Sequence, residues 1–477
     1  MFKVVVKNKK FHHDVSELLK VFVDKSEFII TDDHVENPTL KDMNKQNNGI
    51  QSLDEFHSIN FEDCQNDKQE LKRNIYLYFS KIIKYEPPWG ILTGIRPTKI
   101  VNELFNQGKN KEEIITILKQ EYLIKDHKVN LLLKATENQR YINQQLRENS
   151  VSIYIGIPFC PSRCSYCSFT SYEISEKASS QYLIALFREI DYVLAETKKR
   201  NIIVESVYVG GGTPTSLSNK DFEAFISFLS SKLDFKTLKE FTVEAGRPDT
   251  INEEKLNILI ENNCTRISIN PQSMNDKTLV NIGRKHSAEL LTDTYQLIKK
   301  FHFDVINMDI IAGLPGEDID DFENTLDQVV KLNPDNITIH NLAIKKTAKL
   351  KSEHIANDDT NKQKADLTIK MLELSYDKMS ENGYEPYYLY RQKDMLGNLE
   401  NIGYSKKGKE GIYNVRIMEE NQTIIAMGAS GVSKVYFPSE NRLERIPNVS
   451  NYEIYIERID EMIERKKRGI FAFIPEK

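Results

Sequence analysis

Three of the five cysteines in the 477-residue chain stand within eight positions. They are Cys160, Cys164 and Cys167. They follow an apolar run, 153–157, that predicts a buried strand, so all three belong to one strand-to-helix loop. A closed structural zinc site normally takes four protein ligands, and the nearest further candidates are His127 and Cys264. Three thiolates instead favour a [4Fe–4S] cluster with one iron open to an exogenous ligand. Three small buried side chains are the structural alternative.

The spacing CxxxCxxC, with the aromatic Tyr166 before the last cysteine, resembles the signature of radical S-adenosylmethionine (SAM) enzymes. The wider segment 154–172, YIGIPFCPSRCSYCSFTSY, is similar to the coproporphyrinogen III dehydrogenase (oxygen-independent oxidase) family, and most of all to its HemZ branch. The resemblance extends over residues 151–440. It implies a [4Fe–4S] cluster on the three cysteines, with SAM bound to the open iron through its amino and carboxylate groups.

Composition sets limits on location and partners. A net charge of −5, from 65 basic and 70 acidic residues, argues against a general nucleic-acid binder. No apolar run approaches the ~18–20 residues of a membrane span, and the first ten residues lack the apolar core of a signal peptide. Five cysteines with three clustered do not make a disulfide framework, and a reduced compartment suits an oxygen-sensitive cluster. We therefore expect a cytoplasmic protein.

The chain divides by pattern into three predicted regions. An N-terminal α/β accessory domain covers 1–150, a barrel covers 151–345, and a C-terminal α+β extension that covers the barrel mouth spans 346–477. Within the barrel region, six apolar β-branched runs alternate with amphipathic segments, which predicts βα units, a parallel sheet and strands apolar on both faces. Six units are too few for a closed eight-stranded barrel, so an α/β fold with a partial (β/α)6 barrel follows. The radical SAM resemblance implies the same fold.

Chemistry in such a barrel belongs at the C-terminal ends of the strands, where residues of unusual type recur. The second strand ends in a glycine run that lets a ligand approach the backbone. The third ends in Glu244, whose carboxylate needs a partner: a ligand, or an ion pair with Arg247 or Arg266. The fifth carries Asp309 among apolar residues, a buried charge that must be paired. His340, at the end of the sixth, is interpreted as a hydrogen-bonded core residue.

The resemblance implies a role for many of these positions. Tyr154 is grouped with the three cysteines in the catalytic set. The first SAM, at the cluster, would contact Tyr154, Gly211, Glu244 and Val432. A second SAM would contact Tyr166, Gly212, Thr213, Gln272, Arg284, Asp309 and Ala343.

Two residues depart from the dehydrogenase pattern. Gly156 stands where the pattern has a histidine, which removes one polar group beside the cluster. Phe169 stands two positions after Cys167, where the dehydrogenase pattern has a fourth cysteine that is associated with decarboxylation. The resulting CxF motif is shared with related haem chaperones. Neither change touches the cluster ligands.

The resemblance implies anaerobic oxidative decarboxylation of two propionates of coproporphyrinogen III to vinyl groups, giving protoporphyrinogen IX in haem biosynthesis. The alternatives are a haem-binding chaperone and another radical SAM enzyme acting on a tetrapyrrole, such as anaerobic haem degradation. The expected partners are a tetrapyrrole substrate and a reduced flavodoxin- or ferredoxin-type electron donor, with the chain a monomer. Basic residues near the mouth are candidates for propionate contacts, namely Arg163, Lys345, Lys346 and Arg391.

Overall fold

The structure is a computed structural model that describes residues 1–23, 25–32, 57–61, 67–167, 169–342, 358–391 and 399–474. The described helices are α1 His12–Leu19, α2 Lys68–Ile83, α3 Thr98–Asn106, α4 Lys111–Gln120, α5 Asp126–Asn143, α6 Glu176–Lys199, α7 Asn219–Lys232, α8 Glu253–Glu261, α9 Asp276–Asn281, α10 Ala288–Lys299, α11 Ile319–Leu332, α12 Asp358–Glu381, α13 Ile412–Glu419, α14 Tyr452–Glu457 and α15 Ile459–Gly469. The described strands are β1 Phe2–Val5, β2 Phe28–Thr31, β3 His57–Asn60, β4 Ser150–Ile157, β5 Phe159–Cys160, β6 Tyr172–Glu173, β7 Ile203–Gly211, β8 Glu240–Glu244, β9 Arg266–Ser268, β10 Val305–Ala312, β11 Asn336–Asn341, β12 Glu385–Arg391, β13 Glu400–Ser405, β14 Thr423–Met427, β15 Val432–Phe437 and β16 Arg442–Pro447.

The chain forms two compact units, Met1–Leu133 and Lys134–Lys477. In the first unit, β1 pairs in parallel with both β2 and β3. Apolar side chains of α1 and α2 cover this small sheet, with Leu18 and Phe79 fully buried. Through the stretches of chain that the structure describes, no helix has both the length and the apolarity that crossing a membrane requires. The three-domain division stays a prediction.

The second unit is built on one sheet of eleven strands, in the order β12-β13-β11-β10-β9-β8-β7-β4-β14-β15-β16. Six consecutive parallel strands, from β4 to β11, are those predicted from the apolar runs, and the predicted α/β partial-barrel fold class is confirmed. A further parallel strand, β14, pairs with β4 on the side opposite β7. The sequence pattern does not predict β14, whose five residues lead directly into the small-residue segment 426–434.

The expectation that the barrel strands are apolar on both faces is wrong. Alternate residues of a strand share a face, and one face of these strands carries polar side chains in register across the sheet. They include Ser152, Tyr154, Ser206, Tyr208, Thr242, Glu244, Ser268, Asn307, Asp309, Thr338 and His340. Their burial is tolerated because they hydrogen-bond one another, as in Ser206 Oγ to Ser152 Oγ at 2.7 Å and Asn307 Nδ2 to Ser268 Oγ at 3.1 Å.

Two buried carboxylates tie the last elements of the chain to the barrel. Glu205 on β7 accepts hydrogen bonds from Arg416 Nε at 2.8 Å and from Lys239 Nζ at 3.0 Å. Glu189 on α6 pairs with Lys466 on α15, and both side chains are fully buried. Glu189 Oε2 also accepts the backbone N–H of Gly428 at 2.8 Å, directly after β14. These contacts hold β14 and the loop that follows it against β4.

We predict that Lys466→Met destabilises the second unit by about 3–5 kcal/mol, because it leaves the Glu189 carboxylate buried without its cation. Lys467→Met is the matched control, since the neighbouring lysine is two-thirds exposed. Differential scanning calorimetry of both variants checks the prediction. Equal unfolding midpoints for Lys466→Met, Lys467→Met and the unmodified chain would contradict it.

Candidate functional site

The three cysteines lie on a loop that backbone hydrogen bonds fasten at several points. Cys160 ends β5, which pairs in parallel with β6, and its carbonyl accepts the N–H of Ile174 at 3.0 Å. The N–H of Ser165 donates to the carbonyl of Ile282, after α9, at 3.0 Å. The N–H of Cys167 donates to the carbonyl of Cys164 at 3.2 Å. These bonds fix the backbone of the loop around the three cysteines.

All three thiols are free and face one cavity. Burial raises the pKa of the Cys160 thiol, and burial raises the pKa of Cys167 to about 11. Because metal ligation requires thiolates, cluster loading releases protons and is favoured by rising pH. In the described chain, no three His, Cys, Asp or Glu side chains converge closely enough to hold a single metal ion. A [4Fe–4S] cluster does not need that convergence, since each thiolate binds a different iron.

The glycine segment after β7 passes directly beside the cysteine loop. The N–H groups of Gly212 and Thr213 donate to the carbonyls of Ile157 and Phe159, at 2.8 and 2.7 Å. A Cβ on Gly212 would lie 2.4 Å from the Phe159 oxygen. Gly211 has a φ of +108°, which disfavours any other residue. The hydroxyl of Thr213 lies 3.5 Å from the Cys160 sulfur. Only glycine allows this approach, and the resulting backbone cradle is open to a ligand.

Glu244 lies in the floor of the cavity without an ion-pair partner among the residues predicted for it. Arg247 pairs with Asp249, and Arg266 lies 3.7 Å from Glu240. The hydroxyl of Tyr208 donates to the Glu244 carboxylate instead. Burial is the main cause that raises the pKa of Glu244 to about 7, despite the Tyr208 hydrogen bond. A ligand that presents a positive charge or hydroxyl donors would therefore stabilise the ionised carboxylate.

Two further tyrosines pack around this carboxylate. Tyr208 stacks on Tyr413 from α13, with ring centroids 4.6 Å apart, and Tyr154 lies parallel to Tyr208 at 6.3 Å. Burial and the Glu244 charge raise the pKa of Tyr154 above its ordinary value. Burial also raises the pKa values of Tyr208 and Tyr413 well above the ordinary value, so the three stacked rings are neutral phenols. The sequence reading did not assign Tyr208 or Tyr413, whose meeting depends on β7 and α13 coming together.

Asp309 and His340 form a second polar pair in the same cavity. His340 Nε2 lies 3.7 Å from Asp309 Oδ2, and Asn307 Nδ2 donates to Asp309 Oδ1 at 2.8 Å. Burial opposes ionisation of Asp309, but its contacts with His340, Asn307 and Thr338 outweigh burial, so its pKa lies below the ordinary value. His340, which sequence reasoning placed in the core, lines the cavity. This pair presents an ionised carboxylate backed by an imidazole.

Gln272 and Arg284 each have a buried polar atom that makes no hydrogen bond with a described residue. Gln272 has a φ of +65°, a strained value for a non-glycine residue. Its Oε1 and the Nε of Arg284 are buried and make no hydrogen bond with any described residue. Arg284 Nη1 donates to the carbonyl of Asn270 at 2.6 Å, and Nη2 donates to the Tyr166 hydroxyl at 3.2 Å. Strain together with unpartnered polar atoms indicates a ligand site.

Most of the predicted positions therefore meet in a cavity of about 240 Å³. From the predicted set, it is lined by Cys160, Cys164, Tyr166, Cys167, Gly211, Gly212, Thr213, Glu244, Gln272, Arg284 and Asp309. Tyr154 and Val432 line a neighbouring cavity of about 280 Å³ that shares Gly211 and Phe169 with the first. Ala343, Lys345 and Lys346 lie outside the described residues. Arg163 is exposed and Arg391 is buried, and neither is among the residues found to line the two cavities.

The two departures from the pattern have distinct structural settings. A Cβ at Gly156 would lie 3.1 Å from the Ala429 oxygen, and a Cβ at Gly428 would lie 2.3 Å from the Gly156 oxygen. The loop after β14 therefore occupies the space that a larger side chain at Gly156 would need. Phe169 is 64% exposed and reaches the edge of both cavities. An apolar ring thus stands at the entrance, where the dehydrogenase pattern has a thiol.

Comparison with known proteins shows the family to which the chain belongs. Residues 154–329 match the model of the radical SAM superfamily. The chain is 40% identical over 383 residues to the oxygen-independent coproporphyrinogen-III oxidase-like protein HemZ of Bacillus subtilis, covering 79% of this chain and 76% of that protein. The chain belongs to the radical SAM superfamily, in its HemZ group.

Two other comparisons extend the relationship. The haem chaperone HemW of Bacillus subtilis is 32% identical over 194 residues, 40% of this chain and 50% of that protein. The solved structure of coproporphyrinogen III oxidase (HemN) from Escherichia coli, a radical SAM enzyme, has a TM-score of 0.51 at 21% identity, over 68% of this chain and 73% of the other. That likeness supports the fold of this HemZ-group chain.

Membership of the radical SAM superfamily implies a [4Fe–4S] cluster and SAM. The residues present fit both groups. Three free thiols face a cavity whose glycine wall admits a ligand at backbone distance, and the buried Gln272 oxygen and Arg284 nitrogen lack protein partners among the described residues. A SAM molecule, with its carboxylate, ammonium and hydroxyl groups, could supply those missing hydrogen bonds.

We predict that Cys160→Ala abolishes the brown absorbance of the anaerobically reconstituted protein and lowers bound iron several-fold, because a cluster held by two thiolates is labile. Cys264→Ala is the matched control, since Cys264 is a buried thiol that hydrogen-bonds to the backbone carbonyls of Phe241 and Arg266. Visible spectra and iron analysis read the result. A Cys160→Ala protein with undiminished colour would contradict the metal assignment.

The raised pKa of Glu244 predicts a pH-dependent stability effect in the ligand-free protein. A carboxyl whose folded pKa is raised stabilises the fold below its ordinary pKa, and this contribution is lost as pH rises toward about 7. Glu244→Gln cannot ionise. The unfolding midpoint of the unmodified chain, minus that of Glu244→Gln, should therefore decrease as the pH rises from about 5 to about 8.

The control for this titration is Glu223→Gln, which changes an exposed glutamate on α7. It reports the effect of the same substitution away from the cavity, over the same pH range. A Glu244→Gln difference that stays constant with pH would contradict the raised pKa of the buried carboxyl.

Proposed function

We propose that the chain is a radical SAM oxidoreductase of the coproporphyrinogen dehydrogenase type, which converts two propionates of coproporphyrinogen III to vinyl groups and yields protoporphyrinogen IX. The proposal rests on one cavity that brings together three free thiols, the bare backbone of the glycine segment, and buried polar atoms that have no hydrogen-bond partner among the described residues. The similarity to a HemZ protein over most of the chain supports the same reaction class.

Cys160, Cys164 and Cys167 would hold the cluster, and the ordered loop keeps their positions fixed. When bound and reduced, the cluster and SAM together supply a 5′-deoxyadenosyl radical that removes a hydrogen atom from the substrate. Thr213, whose hydroxyl approaches the Cys160 sulfur, can donate a hydrogen bond to the thiolate. Such a bond lowers the negative charge that the sulfur carries and steadies the ligand.

Four residues are proposed for the first SAM: Tyr154, Gly211, Glu244 and Val432. Gly211 offers backbone atoms that no Cβ shields, and ionised Glu244 can accept hydrogen bonds from ribose hydroxyls or the ammonium group. The stacked tyrosine rings exclude water from this region, which strengthens each polar contact inside it. The proposed contacts lie on both cavities, which meet at Gly211.

A second SAM is proposed for the other side of the first cavity. Its contacts would be Tyr166, Gly212, Thr213, Gln272, Arg284, Asp309 and Ala343. Arg284 can pair with a carboxylate through its free Nε, and the Asp309 carboxylate, held ionised by its neighbours, can pair with a cationic group. These two opposite charges suit a zwitterionic ligand.

The tetrapyrrole is proposed to enter at the rim of the cavity formed by Phe169, His340 and Tyr390. Aromatic rings at the rim can pack on a flat macrocycle, and the His340 imidazole can hydrogen-bond a propionate. Arg163, Lys345, Lys346 and Arg391 remain proposed propionate contacts. A reduced flavodoxin- or ferredoxin-type protein is the proposed electron donor, and a cytoplasmic monomer is the proposed state.

One observation favours a second candidate, a haem-binding chaperone. The exposed ring of Phe169 stands where the decarboxylase pattern has a cysteine, and the matching HemW protein is named a haem chaperone. An apolar ring at the cavity entrance suits stacking on haem without reaction.

Anaerobic turnover separates the two candidates. The reconstituted protein is incubated with SAM, dithionite and coproporphyrinogen III, and the porphyrins are analysed by mass spectrometry. We predict the loss of two CO₂ per substrate with formation of 5′-deoxyadenosine and methionine. Cys264→Ala should match the unmodified chain, and Cys160→Ala should form no product.

Tight haem binding by a cluster-loaded protein that forms no vinyl product would reject decarboxylation and favour the chaperone. A methylated linear tetrapyrrole formed from haem would instead select the ring-opening alternative. Phe169→Cys tests whether the phenylalanine at this position limits the reaction. A rise in decarboxylation would show that the missing thiol is limiting.

A further inference from the structure

Arg247, after β8, has no role in the site described so far, yet it is almost fully buried beside the cysteine loop. Its Nε and Nη2 donate to the two oxygens of Asp249 at 2.9 and 2.7 Å, which makes a bidentate ion pair. Its Nη1 donates to the hydroxyl of Ser162 at 2.8 Å. Ser162 stands midway between Cys160 and Cys164 in the sequence. One guanidinium therefore connects the end of β8 to the cysteine loop.

Arg247 brings a fixed positive charge to the cavity that the three sulfurs face. Arg247, Ser162, Cys160 and Cys164 all line the same cavity. Arginine stays protonated at any pH at which the protein is folded. The charge beside the thiols is therefore permanent.

The segment that carries Arg247 is itself held rigidly. The carbonyl of Arg247 accepts the Thr250 hydroxyl at 2.8 Å, and Thr250 Oγ1 lies 2.7 Å from Thr215 Oγ1. Lys255 Nζ donates to the carbonyls of Thr215 and Thr250, at 2.6 and 3.1 Å. The turn after β8 is thus joined to the turn after the glycine cradle. Displacement of the Arg247 backbone would break these hydrogen bonds.

We propose that Arg247 is a positioning residue that clamps the cysteine loop through Ser162, and that its charge raises the reduction potential of the cluster held by Cys160, Cys164 and Cys167. The inference rests on that cluster assignment. Reduction adds one negative charge to the cluster, and a nearby cation in a water-poor cavity stabilises the reduced state. Asp249 opposes this effect in part, because its carboxylate neutralises the guanidinium.

If Arg247 acts through its charge, Arg247→Gln and Asp249→Asn should shift the reduction potential of the cluster in opposite directions. In Arg247→Gln, the reduced-to-oxidised ratio at a fixed applied potential should fall about tenfold, which corresponds to ~59 mV for one electron. In Asp249→Asn, the ratio should rise, because the guanidinium loses its neutralising partner. Arg442→Gln is the matched control: Arg442 pairs with Glu440, also two residues away, on an exposed strand, and its loss should leave the ratio unchanged.

The measurement is an anaerobic redox titration of each reconstituted protein, with the reduced cluster quantified by EPR and no substrate present. Visible absorbance confirms cluster loading beforehand, so this test is independent of the tetrapyrrole reaction. Ser162→Ala removes the 2.8 Å hydroxyl contact and leaves only the 3.4 Å contact of Arg247 Nη1 with the Ser162 carbonyl. It should speed cluster loss to a chelator several-fold with little change in potential. Loaded Arg247→Gln and Asp249→Asn proteins with unchanged potentials, or with shifts of the same sign, would overturn the inference.

Discussion

The site depends on two backbone hydrogen bonds that join the glycine segment after β7 to the segment entering the cysteine loop. Gly212 and Thr213 donate to Ile157 and Phe159 at 2.8 and 2.7 Å, and a side chain on Gly212 would collide with the Phe159 carbonyl. This contact sets Cys160 beside Thr213 and leaves a wall of bare backbone facing the cavity. The other cavity-lining residues, among them Glu244 and Arg284, surround a cysteine loop whose first residues these hydrogen bonds hold in place.

Buried polar contacts between α6 and the loop after β14 shape the second cavity, which Gly156 and Ala429 line. Tyr182 on α6 donates to the Gly156 carbonyl at 2.6 Å and accepts the Ala429 N–H at 2.9 Å. Glu189, two helical turns further along α6, accepts a hydrogen bond from the Gly428 N–H and forms an ion pair with Lys466. Burying these ions is costly, but they lock the loop after β14 against β4. The last elements of the chain thereby shape the space next to the cysteines.

Much of this arrangement could be predicted from the sequence. The cysteine spacing and the strand-end acids Glu244 and Asp309 give local signals, because acids are unusual in apolar runs. Gln272 and Arg284 are expected only from the family resemblance. The polar inner face was missed because its hydrogen bonds join different strands. The Arg247 to Ser162 clamp, the tyrosine stack and the placement of β14 beside β4 also depend on contacts between distant segments. Such contacts leave no periodic signal in a single sequence.

The central claim is that three thiolates hold a [4Fe–4S] cluster whose fourth iron is free to bind SAM. EPR of the dithionite-reduced protein, recorded with and without SAM, tests it most directly. We predict a [4Fe–4S]⁺ signal whose g values change when SAM is added, with further broadening when the SAM amino nitrogen or carboxylate oxygen carries a magnetic isotope. A signal that SAM leaves unchanged, or the absence of any cluster signal in a reconstituted protein, would contradict the claim.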